Sequence, residues 1–196
     1  KKRLGILGEE LWMHANGIDN STIKDSNYEI KNKSYGLSQI LYKDYTILNT
    51  PLIIKEMASK VSARLRNNKK TCSLVGFGIG YSRSIGGGFY HSRKLSNPTD
   101  SEDVIYESCM YLFNNYVEDL PIRKISISLG KIENNNYRQL NLFEEEKVNE
   151  TNSKMINAVD EISKKFGDNA ILKASSLLDY STIKRRNNTL GGHNKG

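Results

Sequence analysis

Apolar residues recur along this chain with two periods, and each change of period marks an element. Tyr35, Leu37, Gln39 and Leu41 alternate with Gly36, Ser38 and Ile40, so Ser34–Tyr45 is expected as a strand. Thr50-Pro51 places a capping residue before a proline at the first helical position. Ile54, Met57, Val61 and Leu65 then recur at helical spacing, with Arg64 and Arg66 in the last turn, where cations suit the helix dipole. Thr71–Ser82 and Gly87–Leu95 form two strand candidates around Ser84-Ile85-Gly86, a hairpin signal. A helix is expected from Pro98, with Thr99 and Glu102 in a capping box and Ile105, Cys109, Leu112, Phe113 and Tyr116 on its apolar face. Ile122–Ile132 alternates once more, Ile125, Ile127 and Leu129 against Lys124, Ser126 and Ser128.

The order across 34–132 is therefore β-α-β-β-α-β. It predicts an α+β fold, a four-stranded sheet with two helices on one face and the other face open. Before it lies a short helical piece with Leu11, Trp12 and Ala15 as an apolar patch and Asn16-Gly17 as its stop, then a polar, non-periodic linker over 19–33. After it, Met155, Val159, Ile162 and Phe166 predict an amphipathic helix stopped by Gly167, and AILKASSLL reads as a strand or a second packing element.

One strand carries an unusual stripe. Val75, Phe77, Ile79 and Tyr81 share one parity, while Gly76, Gly78 and Gly80 line the other face. Repeated glycine on one face marks the close approach of another backbone, which could be a nucleic-acid strand or a further strand or tail of this chain. His91, Ser92, Arg93 and Lys94 on the following strand are placed to contact phosphates at its edge. Gly76-Phe77-Gly78-Ile79-Gly80 is no nucleotide fingerprint, because a strand and not a helix follows Gly80.

The 196 residues carry a net charge of +7, spread unevenly. Residues 33–130 hold thirteen basic side chains against eight acidic, 131–180 hold seven against nine, and the last sixteen hold four basic groups and no acid. Such basic segments attract phosphate backbones, though a solvated lysine-rich surface has the same composition. No stretch approaches the ~20 apolar residues of a spanning helix, so no membrane is expected as a partner. Cys72 and Cys109 are too few for a disulfide framework or a cysteine zinc site, which leaves a reduced, cytoplasmic setting as the default. His14, His91 and His193 form no ligand spacing, and no paired carboxylates on a strand await two magnesium ions. A start without Met points to a piece of a longer chain.

The sharpest local signal is Gln139-Leu140-Asn141-Leu142-Phe143, set between the polar run Glu133–Tyr137 and Glu144-Glu145-Glu146. Three apolar residues with polar flanks and no core to join suit a docking peptide, the alternative being a loop that packs back on its own domain.

The pentapeptide resembles the bacterial sliding-clamp-binding motif, Gln-Leu, a small polar residue, then Leu-Phe. The chain around it is similar to the C-terminal part of a Y-family translesion DNA polymerase of the UmuC/DinB type. Gly8-Glu9-Glu10-Leu11-Trp12 through Asn16-Gly17-Ile18-Asp19 resembles the end of the thumb. Lys33-Ser34-Tyr35-Gly36 resembles the Lys-Ser-x-Gly start of the little finger, and Ile122-Arg123-Lys124-Ile125 the start of its last strand. Phe166-Gly167, then Arg186 to Gly191-Gly192-His193, is similar to the tail of the Gram-positive ultraviolet-repair branch.

The resemblance implies a thumb end over 1–18, a linker over 19–33, a DNA-binding little finger over 34–132, a clamp-binding linker over 133–150, and a C-terminal helix and basic tail over 151–196. It implies a DNA primer-template duplex and the beta subunit of the sliding clamp as partners, in a bacterial, nucleoid-associated setting and an SOS-type response to damage. DNA contacts would fall to Lys33, Ser34, Gly36, Gly78, Gly80, His91, Ser92, Arg93 and Lys94, and clamp contacts to Gln139, Leu140, Asn141, Leu142 and Phe143. Two departures from the family pattern stand out: glycines at 78 and 80, where members often carry a basic residue, and the lack of the family's palm and fingers in these 196 residues, since those would precede Lys1. Magnesium belongs to that palm, so no cofactor is expected in this chain and no primer extension by it alone. A clamp-binding adaptor that does not touch DNA is the alternative, told apart by salt-dependent duplex binding. An RNA-binding domain ranks third, since it needs exposed aromatics on the middle strands and Phe77 and Tyr81 have the parity of the buried face.

Overall fold

The computed structural model describes residues 5–19, 33–135, 146–190 and 193–194. The chain divides into two compact units, 1–31 and 32–196. In the first, α1 (Gly5–Ala15) buries no side chain of its own. It stops as the sequence predicts: Gly17 takes φ +73°, and Ile18 N–H donates to the Met13 carbonyl at 2.9 Å.

In the second unit, β1 (Tyr35–Tyr45), α2 (Thr50–Asn67), β2 (Lys70–Tyr81), β3 (Gly88–Thr99), α3 (Glu102–Tyr116) and β4 (Ile122–Asn134) follow in the expected order. The strands form one antiparallel sheet in the order β1-β4-β2-β3, so β4 and β2 are central and β1 and β3 are edges. Parity decides what is buried. Val75, Phe77 and Ile79 of β2 and Ile125, Ile127 and Leu129 of β4 are closed off by Ile53, Ile54, Met57, Val61 and Leu65 of α2 and by Ile105, Cys109, Leu112 and Phe113 of α3. Each such Leu, Ile or Phe contributes roughly 1.5–3 kcal/mol by leaving water.

Three local expectations give way to other contacts. Asn49, not Thr50, is the N-cap of α2; Thr50 is buried as the first helical residue and its hydroxyl donates to the Thr46 carbonyl at 2.8 Å. β3 does not stop at Leu95 but runs through Pro98 to Thr99, after a register shift between the Leu74–Lys94 and Cys72–Thr99 pairs. An edge strand has one side without a partner, so proline's missing N–H is tolerated there. The α3 cap is Ser101, and no capping box forms: Thr99 Oγ1 accepts the Ser101 N–H at 3.1 Å, while the Glu102 carboxylate pairs with Lys173.

Beyond β4, α4 (Glu146–Phe166) ends at Gly167, whose φ is +94°. The AILKASSLL segment is the second packing element and not a strand: a loop holding a 3-10 turn, Ala174–Leu177, with Ser176 buried. A five-residue helix, α5 (Ile183–Asn187), follows, and then β5 (Thr189–Leu190) paired with β6 (His193–Asn194).

Residues 160–186 bind the domain as a strap. Arg66 donates to both oxygens of Asp160, at 2.7 and 3.1 Å, with the two side chains only 14% exposed. So Arg66, in the last turn of α2 as expected, also anchors the strap. Lys60 meets Asp168 at 2.5 Å. The buried Glu56 carboxylate accepts from Ser181 Oγ, Thr182 N–H and Thr182 Oγ1, and Gln39 donates to Thr182 Oγ1 at 3.0 Å. Arg186 reaches the Gln39 amide oxygen at 3.1 Å; burial lowers its pKa, an effect Glu56 opposes. Among the described residues no buried side-chain nitrogen or oxygen lacks a hydrogen-bond partner.

Candidate nucleic-acid interface

Neither described helix of the second unit's core covers the other face of the sheet. Register sets its side chains in rows across the strands. Ser38, Ser126, Gly78 and Tyr90 make one row; Gly36, Ser128, Gly76 and Ser92 make the next. A third runs from Ile40 through Lys124 to Gly80, and Lys94 stands opposite Leu74. The middle is a low floor of glycine and serine. Ser38 and Ser126 share a hydrogen bond at 2.9 Å.

The glycine stripe has an occupant that neither sequence reading named. It is the Tyr90 side chain of the adjacent strand, joined beside Gly78 by the Phe89 carbonyl oxygen of that strand, 2.9 Å from where a Cβ would stand. A Cβ on Gly76 would stand 2.1 Å from the Tyr90 hydroxyl oxygen, and one on Gly78 would stand 2.8 Å from its ring. The tyrosine lies diagonally across both glycines, and its hydroxyl bonds Ser128 Oγ at 2.9 Å. Aromatic cover of strand glycines restores contacts that a missing side chain forfeits. Gly76 and Gly78 are therefore buried, while Tyr90 itself stays 57% exposed on the open face. Gly80 lies under the Lys124 stem. At the hairpin end Gly88 takes φ +136°, and a Cβ there would meet the Ile79 carbonyl oxygen at 2.1 Å.

The residues singled out on β3 divide between two faces. Ser92 and Lys94 share the parity of Tyr90 and lie on the open side. His91 and Arg93 pair with Phe77 and Val75 and turn to the helix side. There His91 stacks on Tyr116 at 3.9 Å between ring centroids, and the Arg93 guanidinium sits 4.3 Å over Tyr111 of α3. Lys33 and Ser34 are exposed just before β1, and the Gly36 carbonyl accepts from Arg64 at 2.9 Å. Gln139, Leu140, Asn141, Leu142 and Phe143 lie outside the described residues.

The sequence reading missed Tyr90 and did not place Lys124, Ser126 and Ser128 on the face. The signal was present: all share the parity of the glycine stripe, but only the cross-strand register brings them beside it.

Residues 32–142 match the impB/mucB/samB family C-terminal domain. The chain is 36% identical over 195 residues to the putative UV-damage repair protein UvrX of Bacillus subtilis, covering 98% of this chain and 46% of that protein. It is 31% identical over 200 residues to DNA polymerase IV 2 of the same organism, covering 100% of this chain and 47% of the relative. The chain thus spans about half the length of the curated relatives it matches. A solved complex of the beta-clamp processivity factor and the little finger domain of PolIV superposes with a TM-score of 0.43 at 11% identity, over 57% of this chain and 100% of that one, a likeness too loose to add weight. With its family domain matched over more than half its length and the β-α-β-β-α-β sheet in place, the chain belongs to the impB/mucB/samB family.

Proposed function

We propose that this chain is the duplex-holding and clamp-tethering part of a translesion DNA polymerase that acts in DNA repair. The observation that carries the reading is the open sheet face, a floor of glycine and serine under one tyrosine with Lys94 and Lys124 standing over it. Small side chains let a groove approach closely, hydroxyls donate to phosphate or base edges, and lysines neutralise phosphates without reading sequence. Such contacts hold a duplex at any position, which a polymerase meeting damage anywhere requires. The names of the relatives, a UV-damage repair protein and DNA polymerases, support a repair role. Nucleotide addition would fall to another part of that polymerase. Gln139–Phe143 supports the clamp as second partner, with Leu142 and Phe143 filling an apolar pocket.

The test is fluorescence anisotropy of a primer-template duplex across a salt series. Each phosphate contact adds roughly 0.9 to the slope of log affinity against log salt, so Lys94→Ala with Lys124→Ala lowers the slope by about two on every sequence tested. Salt-independent binding, or strong preference for one sequence, overturns the reading. In parallel, calorimetry with purified clamp follows Leu142→Ala with Phe143→Ala, which reduces clamp affinity on the order of a hundredfold and leaves the duplex slope unchanged. Clamp binding without duplex binding would favour the adaptor.

A further inference from the structure

The strap ends against β1, the edge strand of the sheet, where it meets Gln39, Tyr42 and Tyr45. Tyr45 Oη donates to the Tyr180 carbonyl at 3.1 Å, Gln39 bonds Thr182 and Arg186, and the Arg185 guanidinium lies 3.5 Å over the Tyr42 ring. Tyr42 follows the buried Leu41 and so points away from the core. Arg186 is committed inside, to Gln39 and the Glu56 carbonyl. Lys184 and Arg185 are exposed, and no carboxylate pairs with either among the described residues.

The two edges of the open face differ in charge. On β3 the open-face row carries Lys94, whereas Gly36, Ser38 and Ile40 of β1 are uncharged. Arg64, reaching the β1 edge from α2, is held by the Gly36 carbonyl and the Tyr35 ring. Four strands about 4.8 Å apart span roughly 14 Å, close to the ~12 Å width of a B-DNA major groove. A duplex that offers its major groove to this floor sets one phosphate strand beyond each edge of the sheet. We infer that the strap is part of the duplex-binding surface, with Lys184 and Arg185 supplying phosphate contacts along the β1 edge, where Gly36, Ser38 and Ile40 carry no charge and Lys43 is held over the Tyr45 and Tyr180 rings. Tyr42 fixes the height of the Arg185 guanidinium by stacking, so its charge is presented with little loss of side-chain freedom.

The inference rests on the open face being the duplex site, and the experiment separates the two. Lys184→Gln with Arg185→Gln is compared with Lys94→Ala plus Lys124→Ala in the full chain, by anisotropy over the same salt series. The strap pair lowers the log–log slope by up to about two and weakens duplex binding roughly tenfold or more at 0.15 M salt. Both side chains are exposed, so the thermal midpoint stays near that of the parent, which separates lost contact from lost fold. Arg185→Lys keeps the charge and retains the slope. An unchanged slope in the strap pair, with loss in the open-face pair, overturns this inference and leaves the duplex reading standing. No salt-dependent binding by the parent chain overturns both.

Discussion

On one face of the sheet Val75, Phe77, Ile125 and Ile127 are fully buried, while one residue further along the same strands the other face holds Gly76, Gly78, Ser126 and Ser128. The packed face is specified by volume: Phe77 meets Phe113 at 6.3 Å and Phe89 at 6.0 Å between centroids, and a changed side chain leaves a cavity. The open face is specified by smallness, because the Tyr90 side chain, with the Phe89 carbonyl beside Gly78, occupies the room that side chains on two glycines would take. Adjacent residues thus carry separate duties, stability and surface shape. A sheet with a period of two permits this, since neither duty constrains the other's positions.

The sharpest way to break that comparison is Phe77→Ala. It leaves a large void between the sheet and α3 and costs about 3–5 kcal/mol in urea unfolding. Duplex affinity per folded molecule stays constant, because the ring never reaches the open face. A parallel loss of affinity in the folded fraction would mean that the two faces are coupled.

The next effect is alkaline and belongs to the packed side, where both cysteines are buried. Burial pushes the Cys72 thiol up to about 12, with the Asp100 carboxylate adding to it, and burial beside Cys72 pushes Cys109 up to about 12 as well. The folded chain holds these protons after the unfolded chain, with thiols near 8.5, has released them. The stabilisation is therefore whole below about pH 8.5 and is lost as pH rises towards 12. Urea midpoints measured from pH 7.5 to 11 should fall more steeply in the parent than in a Cys72→Ala, Cys109→Ala chain. Equal slopes would remove the thiols from the account.

The smallest effect sharpens the open face. Gly76→Ala forces Tyr90 aside and costs about 1–3 kcal/mol, whereas the same change in a Tyr90→Ala background costs much less. A double-mutant cycle by thermal unfolding reads the difference. Additive costs would show that something other than Tyr90 keeps position 76 a glycine.

Periodicity and composition determined the element order across 34–132, the two helix faces and the parity of β1, β2 and β4, because these are local properties of the chain. Phe77 and Tyr81 fall on the buried side as their alternation requires, and the helix ends at Gly17 and Gly167 follow from glycine's freedom to take positive φ. The family, too, was legible, since its motifs are short and contiguous. Only the tertiary structure decided who covers the glycine stripe, for Tyr90 comes opposite Gly78 only through the pairing of β2 with β3. It alone placed His91 and Arg93 behind the sheet, where α3 offers rings to stack on. It alone gave Arg66, Glu102 and Glu56 their partners in the strap, where Glu102 binds Lys173 instead of closing a capping box. Gln39 bonds a residue 143 positions away. No local pattern encodes such a pairing, because what selects it is the cost of leaving a buried polar group without a partner once the rest of the core has closed.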